Sequence, residues 1–114
     1  MKDKLTWEKS GDAVIFRFHG EITSDISADL KQAIISVLHD EHSEIAVFDL
    51  KDATYIDSMG IGMFVHLHVQ HHSRIRFLFC SLSEPVSRAF GYVKLISFFD
   101  IHEDCSAALE GLDR

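Results

Sequence analysis

The predicted elements of this chain are organised around the stretch Tyr55-Ile-Asp-Ser-Met-Gly-Ile-Gly-Met-Phe-Val65. It follows an apolar run, Ile45–Leu50, that is typical of a buried strand, and it leads into a helical pattern that reaches about His72. Asp57 and Ser58 are therefore predicted at a turn between strand and helix, where functional residues of open α/β sheets gather. A helix that begins there presents free backbone N–H groups, which suit an anion such as a phosphate attached to Ser58.

The composition indicates one ordinary globular domain that spans residues 1–114, with 46% hydrophobic and 25% charged residues. The formal net charge of −7 argues against nucleic-acid binding, which needs clustered Lys and Arg. The sequence contains no apolar run long enough to span a membrane, and its start lacks the apolar centre of a signal peptide. Cys80 and Cys105 match neither a metal spacing nor a disulfide framework. We therefore expect a cytoplasmic protein with reduced thiols.

An antiparallel strand pair and a helix are predicted before the central stretch. The pair consists of Leu5–Lys9 and the alternating segment Ala13–His19, of which the second is predicted to be half-buried. Glu21–Asp25 is predicted to be a polar loop. The apolar stripe of the following helix is Ile26, Leu30, Ala33, Ile34, Val37 and Leu38. Three residues are candidates for its N-cap: Ser24, Asp25 and Ser27.

Four further elements are predicted after the central stretch. They are a strand at Arg74–Cys80, a short capped helix at Ser83–Gly91, a last strand at Ile96–Ile101 and a terminal helix at Glu103–Leu112. Strands that alternate with helices favour an α/β fold. We predict a mostly parallel mixed sheet of about five strands with about four helices packed against it.

The central helix has apolar residues on two sides. At about 100° per residue, Ile61, Phe64, Val65 and His68 form the predicted core side. The opposite side consists of Met59, Gly62, Met63, His66 and Gln70. Methionines exposed there would form an adaptable surface for a partner, and would also permit weak self-association. The alternative is that a neighbouring helix covers this side.

Two enzymatic interpretations of this region are weak. A nucleophilic Ser58 would be expected in a G-x-S-x-G turn, but Ile56 stands where the first glycine belongs. A phosphoryl-aspartate receiver domain would use Asp49 or Asp57, but it also needs a pair of acidic residues after the first strand, which this chain lacks. Asp57 is better explained as the cap of the helix that follows it.

A metal site is a further alternative. His68 and His72 stand four residues apart on one helical face and could act as paired ligands. No glutamate follows His68 as it does in H-E-x-x-H motifs, and the sequence indicates no third ligand. We predict no metal and no cofactor.

The remaining interpretation makes Ser58 a phosphoacceptor for the kinase of another protein. A phosphate adds a charge of about −1.5 to −2, placed here at the N-terminus of a helix. The helix N–H groups favour that charge by about 0.3–1 kcal/mol, so the fold would survive. The effect would fall on a partner docked over the neighbouring residues, which makes a local electrostatic switch.

The chain resembles a known family. Its Asp57-Ser58-Met59-Gly60-Ile61-Gly62 motif after an apolar strand, Gly20-Glu21 after an earlier strand, and the order of elements are similar to the STAS domain. The similarity is greatest to the small single-domain anti-sigma factor antagonists of bacteria. It covers nearly the whole chain and implies the STAS fold.

The resemblance implies a partner switch. In the family, the serine that matches Ser58 is phosphorylated by a GHKL-type serine kinase that is itself the anti-sigma factor. The unphosphorylated antagonist binds this kinase and releases the sigma factor, phosphorylation ends the binding, and a PP2C-type phosphatase resets the serine. The protein would thus be a substrate and ligand, not an enzyme. The implied partner-binding surface is Glu21, Thr23, Ser24, Asp25, Asp57, Met59, Gly60, Ile61 and Gly62, to which the helix pattern adds Met63 and His66.

Two residues depart from the pattern of the family. Thr23 stands where an aspartate is common, and Met59 follows the serine where a small residue is preferred. Both departures concern the identity of the kinase more than the fold. Other STAS domains are scaffold subunits of stress complexes or parts of transport systems, and related switches control biofilm formation or secretion. A scaffold or regulatory subunit without phospho-switching is therefore the alternative function.

Overall fold

Strands and helices alternate along the computed structural model, which describes residues 4–112. The elements are β1 (Leu5–Ser10), β2 (Ala13–Phe18), β3 (Gly20–Ile22), α1 (Ser24–Asp40), β4 (Ile45–Asp49), β5 (Ala53–Ile56), α2 (Ser58–His71), β6 (Arg76–Cys80), α3 (Glu84–Tyr92), β7 (Ile101–His102) and α4 (Cys105–Leu112).

The main sheet has five strands in the order β1-β2-β4-β6-β7. β1 pairs antiparallel with β2, whereas the other neighbours pair in parallel. β3 and β5 form a separate two-stranded parallel sheet. The predicted α/β architecture, with a mostly parallel mixed sheet and four helices, is confirmed. None of the helices within residues 4–112 is both long and apolar enough to cross a membrane.

The two faces of the main sheet bury different residues, because successive side chains of a strand point to opposite sides. α1, α2 and α3 cover the first face, where Phe48 lies at the centre of an aromatic cluster. Its ring centroid lies 5.2–5.9 Å from those of Phe16, Phe18, Phe64, Phe77 and Phe79. α4 covers the second face, where Ala108 packs with Ala13, Ile15, Val47 and Leu78.

Strand β2 is buried on both faces, so the prediction that it is half-buried is wrong. Five of its six residues are buried, and only Arg17 is intermediate. The second face is covered by α4, whose residues lie about ninety positions further along the chain. A contact between such distant residues leaves no mark in the local alternation from which the burial was predicted.

Three other parts of the chain also differ from the predictions. The predicted loop Glu21–Asp25 is wrong, because Glu21 and Ile22 belong to β3 and α1 begins at Ser24. β5 was not predicted at all. Of the predicted strand Ile96–Ile101, only Ile101 lies in a strand, the two-residue β7 that it forms with His102. Phe99 instead lies in the core and stacks on Phe79, with ring centroids 4.4 Å apart. The apolar run is therefore explained by packing of side chains in the core and not by pairing of a strand.

Cys80 and Cys105 form a disulfide, so the thiols that we predicted to be reduced are oxidised in this structure. Their Cα atoms lie 5.3 Å apart, within the usual range of disulfides. Cys80 is at the end of β6 and Cys105 begins α4. Because only the docking of α4 brings them together, their spacing in the sequence gave no indication of the bond.

We expect Phe48→Ala to lower the free energy of unfolding by about 3–5 kcal/mol, because it removes the ring at the centre of the aromatic cluster and leaves a cavity. Phe98→Ala is the matched control, since Phe98 is 46% exposed. Its expected cost is about 1 kcal/mol or less. Urea unfolding followed by circular dichroism measures both. Equal losses for the two variants would contradict the central role of Phe48.

Candidate functional site

Asp57 joins the N-termini of α1 and α2 through one carboxylate. Its Oδ1 accepts a hydrogen bond from the backbone N–H of Gly60 at 2.8 Å, and its Oδ2 accepts one from Ser24 N–H at 2.8 Å. The first bond makes Asp57 the N-cap of α2, as predicted. The second satisfies a free N–H in the first turn of α1, a helix that lies far away in the sequence.

The N-cap residue of α1 is Thr23, so the predicted caps Ser24, Asp25 and Ser27 are wrong. The Thr23 side chain makes no capping hydrogen bond and instead donates to the carboxylate of Asp25. Asp57 supplies the capping oxygen that Thr23 does not. A cap borrowed from another element cannot be predicted from the residues around the helix start.

The β3–β5 pair holds this junction in place. Ile22 pairs with Ile56, and the N–H of Asp57 donates to the carbonyl of Ile22 at 3.1 Å. The first turn of α2 then lies directly on β3. A Cβ atom added to Gly60 would lie 2.6 Å from the carbonyl oxygen of Ile22 and 2.8 Å from Cγ1 of Ile56. Residue 60 must therefore be glycine for the helix to approach the strand this closely.

Ser58 is exposed at the first position of α2. Within residues 4–112 its hydroxyl forms no hydrogen bond, and the backbone N–H groups of Ser58 and Met59 have no acceptor. Since Asp57 already satisfies Gly60, these two N–H groups are the free donors at the mouth of the helix. An incoming group can reach the hydroxyl without displacing another side chain.

The residues predicted to bind a partner differ in exposure. The exposed ones are Glu21, Ser24, Asp25, Met59 and His66; the intermediate ones are Thr23, Asp57, Ile61 and Gly62; the buried ones are Gly60 and Met63.

The prediction that Met63 is exposed is wrong, because its side chain is only 4% exposed and lies in the core. The buried residues of α2 are Gly60, Met63, Phe64 and Leu67. The buried side of α2 therefore lies about one residue earlier along the helix than the predicted side, which contained Ile61, Val65 and His68. A helix with apolar residues on two sides does not reveal which side the sheet covers. The close approach at Gly60 and the packing of α1 against α2 decide it.

Tyr55 is an additional candidate that the sequence interpretation missed. It is 50% exposed in β5, where its Cα is the register partner of Glu21. Met59, in the first turn of α2, is 58% exposed. β5 does not alternate, since Ala53 and Ile56 are buried while Thr54 and Tyr55 are exposed, so no local pattern predicts that Tyr55 faces outward. Tyr55 and Met59 thus give the surface around Ser58 two large apolar side chains.

His68 and His72 form a packing cluster with Phe98 at the C-terminal end of α2. The ring of His68 is nearly parallel to that of His72, with centroids 5.2 Å apart, and its edge meets Phe98 at 4.9 Å. Burial, followed by the charge of His72, lowers the pKa of His68. Among residues 4–112, the only group of three or more metal-ligating side chains with their ligand atoms close together is Asp49, Cys80 and Cys105. This group, found within the described residues, does not include His68 or His72.

Comparison with known families gives one match, in which the STAS domain model covers residues 4–108. Solved structures share the fold. A proposed anti-sigma factor antagonist from Thermotoga maritima superposes with a TM-score of 0.85 at 21% identity, over 96% of this chain and 95% of that chain. An anti-sigma factor antagonist from Mycobacterium paratuberculosis also gives 0.85, at 19% identity, over 96% of this chain and 93% of that chain.

The Bacillus cell fate determinant SpoIIAA in its phosphorylated form superposes with a TM-score of 0.70 at 14% identity, over 95% of this chain and 98% of that chain. At these identities the likeness establishes the fold and not the function. The predicted STAS fold is confirmed.

We expect Asp57→Ala to lower the free energy of unfolding by about 2 kcal/mol, because two helices each lose a cap worth about 1 kcal/mol. Amide hydrogen exchange should quicken in the first turns of both α1 and α2. Asp29→Ala is the control, since Asp29 is an exposed acidic residue of α1 away from the junction. Faster exchange in α2 alone would contradict the shared cap.

A second pair of variants tests the close approach of α2 to β3. Gly60→Ala should lower the free energy of unfolding by about 1–3 kcal/mol, because the added methyl group meets the Ile22 carbonyl. Gly62→Ala should instead raise it by about 0.5–1 kcal/mol, since a Cβ there meets nothing within 4 Å and alanine favours the helix. Thermal unfolding measures both. Shifts of the same sign would contradict the packing described here.

Proposed function

The chain belongs to the STAS domain family, and on that premise we propose that it is an anti-sigma factor antagonist of a bacterial partner-switching pathway. In its unphosphorylated form it binds an anti-sigma factor that is a GHKL-type serine kinase, and the sigma factor is released. Phosphorylation of Ser58 ends this binding, and a PP2C-type phosphatase restores it. The chain acts as a single STAS domain and as a substrate and ligand, not as an enzyme. It works in the cytoplasm, where its kinase finds ATP.

The observation that carries this proposal is the exposed hydroxyl of Ser58 at the N-terminus of α2, which has no partner within residues 4–112. A phosphate on that oxygen lies beside the free N–H groups of Ser58 and Met59. The positive end of the helix dipole favours such a charge by about 0.3–1 kcal/mol. The domain can therefore accept the modification with its fold intact, as a reversible switch requires.

The surface around Ser58 explains how the modification would act on a partner. Tyr55 and Met59 present apolar side chains on either side of the serine in the sequence, and Glu21 lies beside Tyr55 in the neighbouring strand. A partner that covers these side chains removes water from the serine between them. A phosphate of about −1.5 to −2 charges would then be buried without a counter-charge, which opposes binding.

The buried members of the predicted surface support it and do not contact a partner. Gly60 allows α2 to lie on β3, and Met63 packs beneath the first turns of the helix. The contact residues proposed here are the exposed ones: Glu21, Ser24, Asp25, Tyr55, Met59 and His66, with Thr23, Asp57, Ile61 and Gly62 partly exposed at the edge.

Thr23 departs from the family pattern, but a carboxylate is still nearby. The hydroxyl of Thr23 donates to Asp25, which brings that carboxylate next to the position where the family commonly has aspartate. We infer that Asp25 supplies the acidic contact to the kinase in this chain. Met59, which replaces a small residue, enlarges the apolar part of the surface.

The function is tested by a pull-down from the native host with wild type, Ser58→Ala and Ser58→Asp, followed by identification of the captured proteins. Wild type and Ser58→Ala should retain a GHKL-type kinase, and that purified kinase should phosphorylate wild type but not Ser58→Ala. Ser58→Asp should weaken its binding at least about tenfold, or about 1.4 kcal/mol, because it adds charge inside the contact.

Ser36→Asp is the matched control, because it adds the same charge to an exposed position in the middle of α1. It should bind the kinase like wild type. Equal binding by wild type, Ser58→Ala and Ser58→Asp would overturn the phospho-switch and leave a constitutive scaffold. Capture of no kinase by wild type would overturn the proposed partner class.

A further inference from the structure

A row of reactive side chains lies on the sheet face that α4 covers, on the opposite face from the helix that carries Ser58. Arg17, Asp49, Cys80 and His102 are register partners in four adjacent strands, at or near the carboxyl ends of β2, β4, β6 and β7. Partners in neighbouring strands point to the same face of a sheet. Cys105 reaches the row from α4 and completes the disulfide with Cys80.

Asp49 is close to both sulfur atoms. A carboxylate oxygen of Asp49 and the two Sγ atoms lie within 4.8 Å of one another, although Asp49 is only 6% exposed. Both carboxylate oxygens already have partners: Oδ1 accepts the Lys51 N–H at 3.0 Å, and Oδ2 lies 3.5 Å from Arg17 Nε. This carboxylate therefore lies where it can accept a proton from a thiol, and its existing partners make it a poor free metal ligand.

We propose that Cys80 and Cys105 form a reversible thiol–disulfide site that takes a peroxide as oxidant and a dithiol as reductant. The compartment supports reversibility, and this rests on the proposed function: a protein that works beside an ATP-using kinase is in a reducing cytoplasm. Disulfides in that compartment are usually transient and redox-sensing or catalytic.

The two cysteines have different roles because they differ in access. Cys80 is fully buried, whereas Cys105 is partly exposed at the first position of α4, where the helix favours a thiolate. Cys105 is thus the thiol that meets the peroxide, and Cys80 is the resolving thiol. The same exposure makes the Cys105 sulfur the one that a reductant attacks.

Oxidation proceeds in two balanced steps. The Cys105 sulfur takes one oxygen of hydrogen peroxide to become a sulfenic acid, and one water leaves. The Cys80 sulfur then displaces the hydroxyl of the sulfenic acid as a second water, and its proton passes to that water by way of the Asp49 carboxylate. In reduction, one thiol of the dithiol bonds to Cys105 and releases Cys80 as a thiol. The second thiol then closes the oxidised dithiol and releases Cys105.

The bond controls how firmly α4 is held. Apart from the disulfide, α4 contributes one fully buried residue, Ala108, with Leu109 and Leu112 partly buried. Reduction removes the covalent link between α4 and β6 and leaves this small apolar contact. The helix then opens more often and exposes the apolar side chains beneath it, among them Ile15, Val47 and Leu78.

A redox titration of the purified full chain tests the proposal without any kinase. Thiols are counted by maleimide labelling after equilibration in glutathione buffers and, separately, after peroxide treatment. A buffer poised as in a bacterial cytoplasm should reduce the pair in the folded protein, and peroxide should restore the disulfide. Asp49→Asn should slow the peroxide step at least about tenfold, because the proton acceptor is lost. Circular dichroism verifies that the variant is folded.

Hydrogen exchange provides a second readout that needs no variant. On reduction, the amides of residues 106–112 should exchange at least about tenfold faster, while those of α2 stay within about twofold. A disulfide that resists reduction until the chain unfolds would overturn the proposal and indicate a structural disulfide. Stoichiometric zinc in the reduced protein would overturn it in favour of a metal site. If the Ser58 switch fails, the cytoplasmic location loses its support, but the two readouts still test the cysteine pair because both use the isolated protein.

Discussion

The carboxylate of Asp57 holds together two helices that are distant in the sequence. Its two oxygens each accept a backbone N–H at 2.8 Å, one at the start of α1 and one in the first turn of α2. The β3–β5 pair lies next to this junction and positions it through the hydrogen bond that Asp57 N–H donates to the carbonyl of Ile22. The absence of a side chain at Gly60 permits the contact. Removal of any one of these parts would misplace the others.

This construction leaves Ser58 rigidly placed but chemically free. The residue before it is engaged in two hydrogen bonds, whereas Ser58 is exposed with an unpartnered hydroxyl within the described chain. Tyr55 and Met59 add apolar area around it. A modification of one oxygen can therefore change what docks on the surface, while the capped helices and the aromatic core around Phe48 keep the domain folded.

The main sheet separates this surface from a second site. α1, α2 and α3 pack on one face with the phenylalanine cluster, and α4 packs on the other over the row that contains Asp49 and Cys80. The two sites share neither strands nor side chains, because the surface around Ser58 lies on β3, β5, α1 and α2, whereas the row lies on β2, β4, β6 and β7. A change at the cysteine pair can thus alter the hold on α4 without direct contact to Ser58.

Features that depend on neighbouring residues could be predicted from local patterns in the sequence. The α/β order, the amphipathic α1, the Ser83 cap of α3, and Asp57 as the cap of α2 with Ser58 next to it all follow from local spacing, and the structure contains them. These signals survive because caps and amphipathic stripes act over three or four residues along the chain.

Which surfaces pack against each other depends on contacts that form only in the folded chain. In the folded chain Met63 is on the buried side of α2, Asp57 also caps α1, and β3 pairs with β5. Both faces of β2 are buried, and Cys80 is bonded to Cys105. Each of these depends on a contact between residues far apart in the sequence. Local periodicity shows that a face is apolar, but it cannot show which part of the chain covers it.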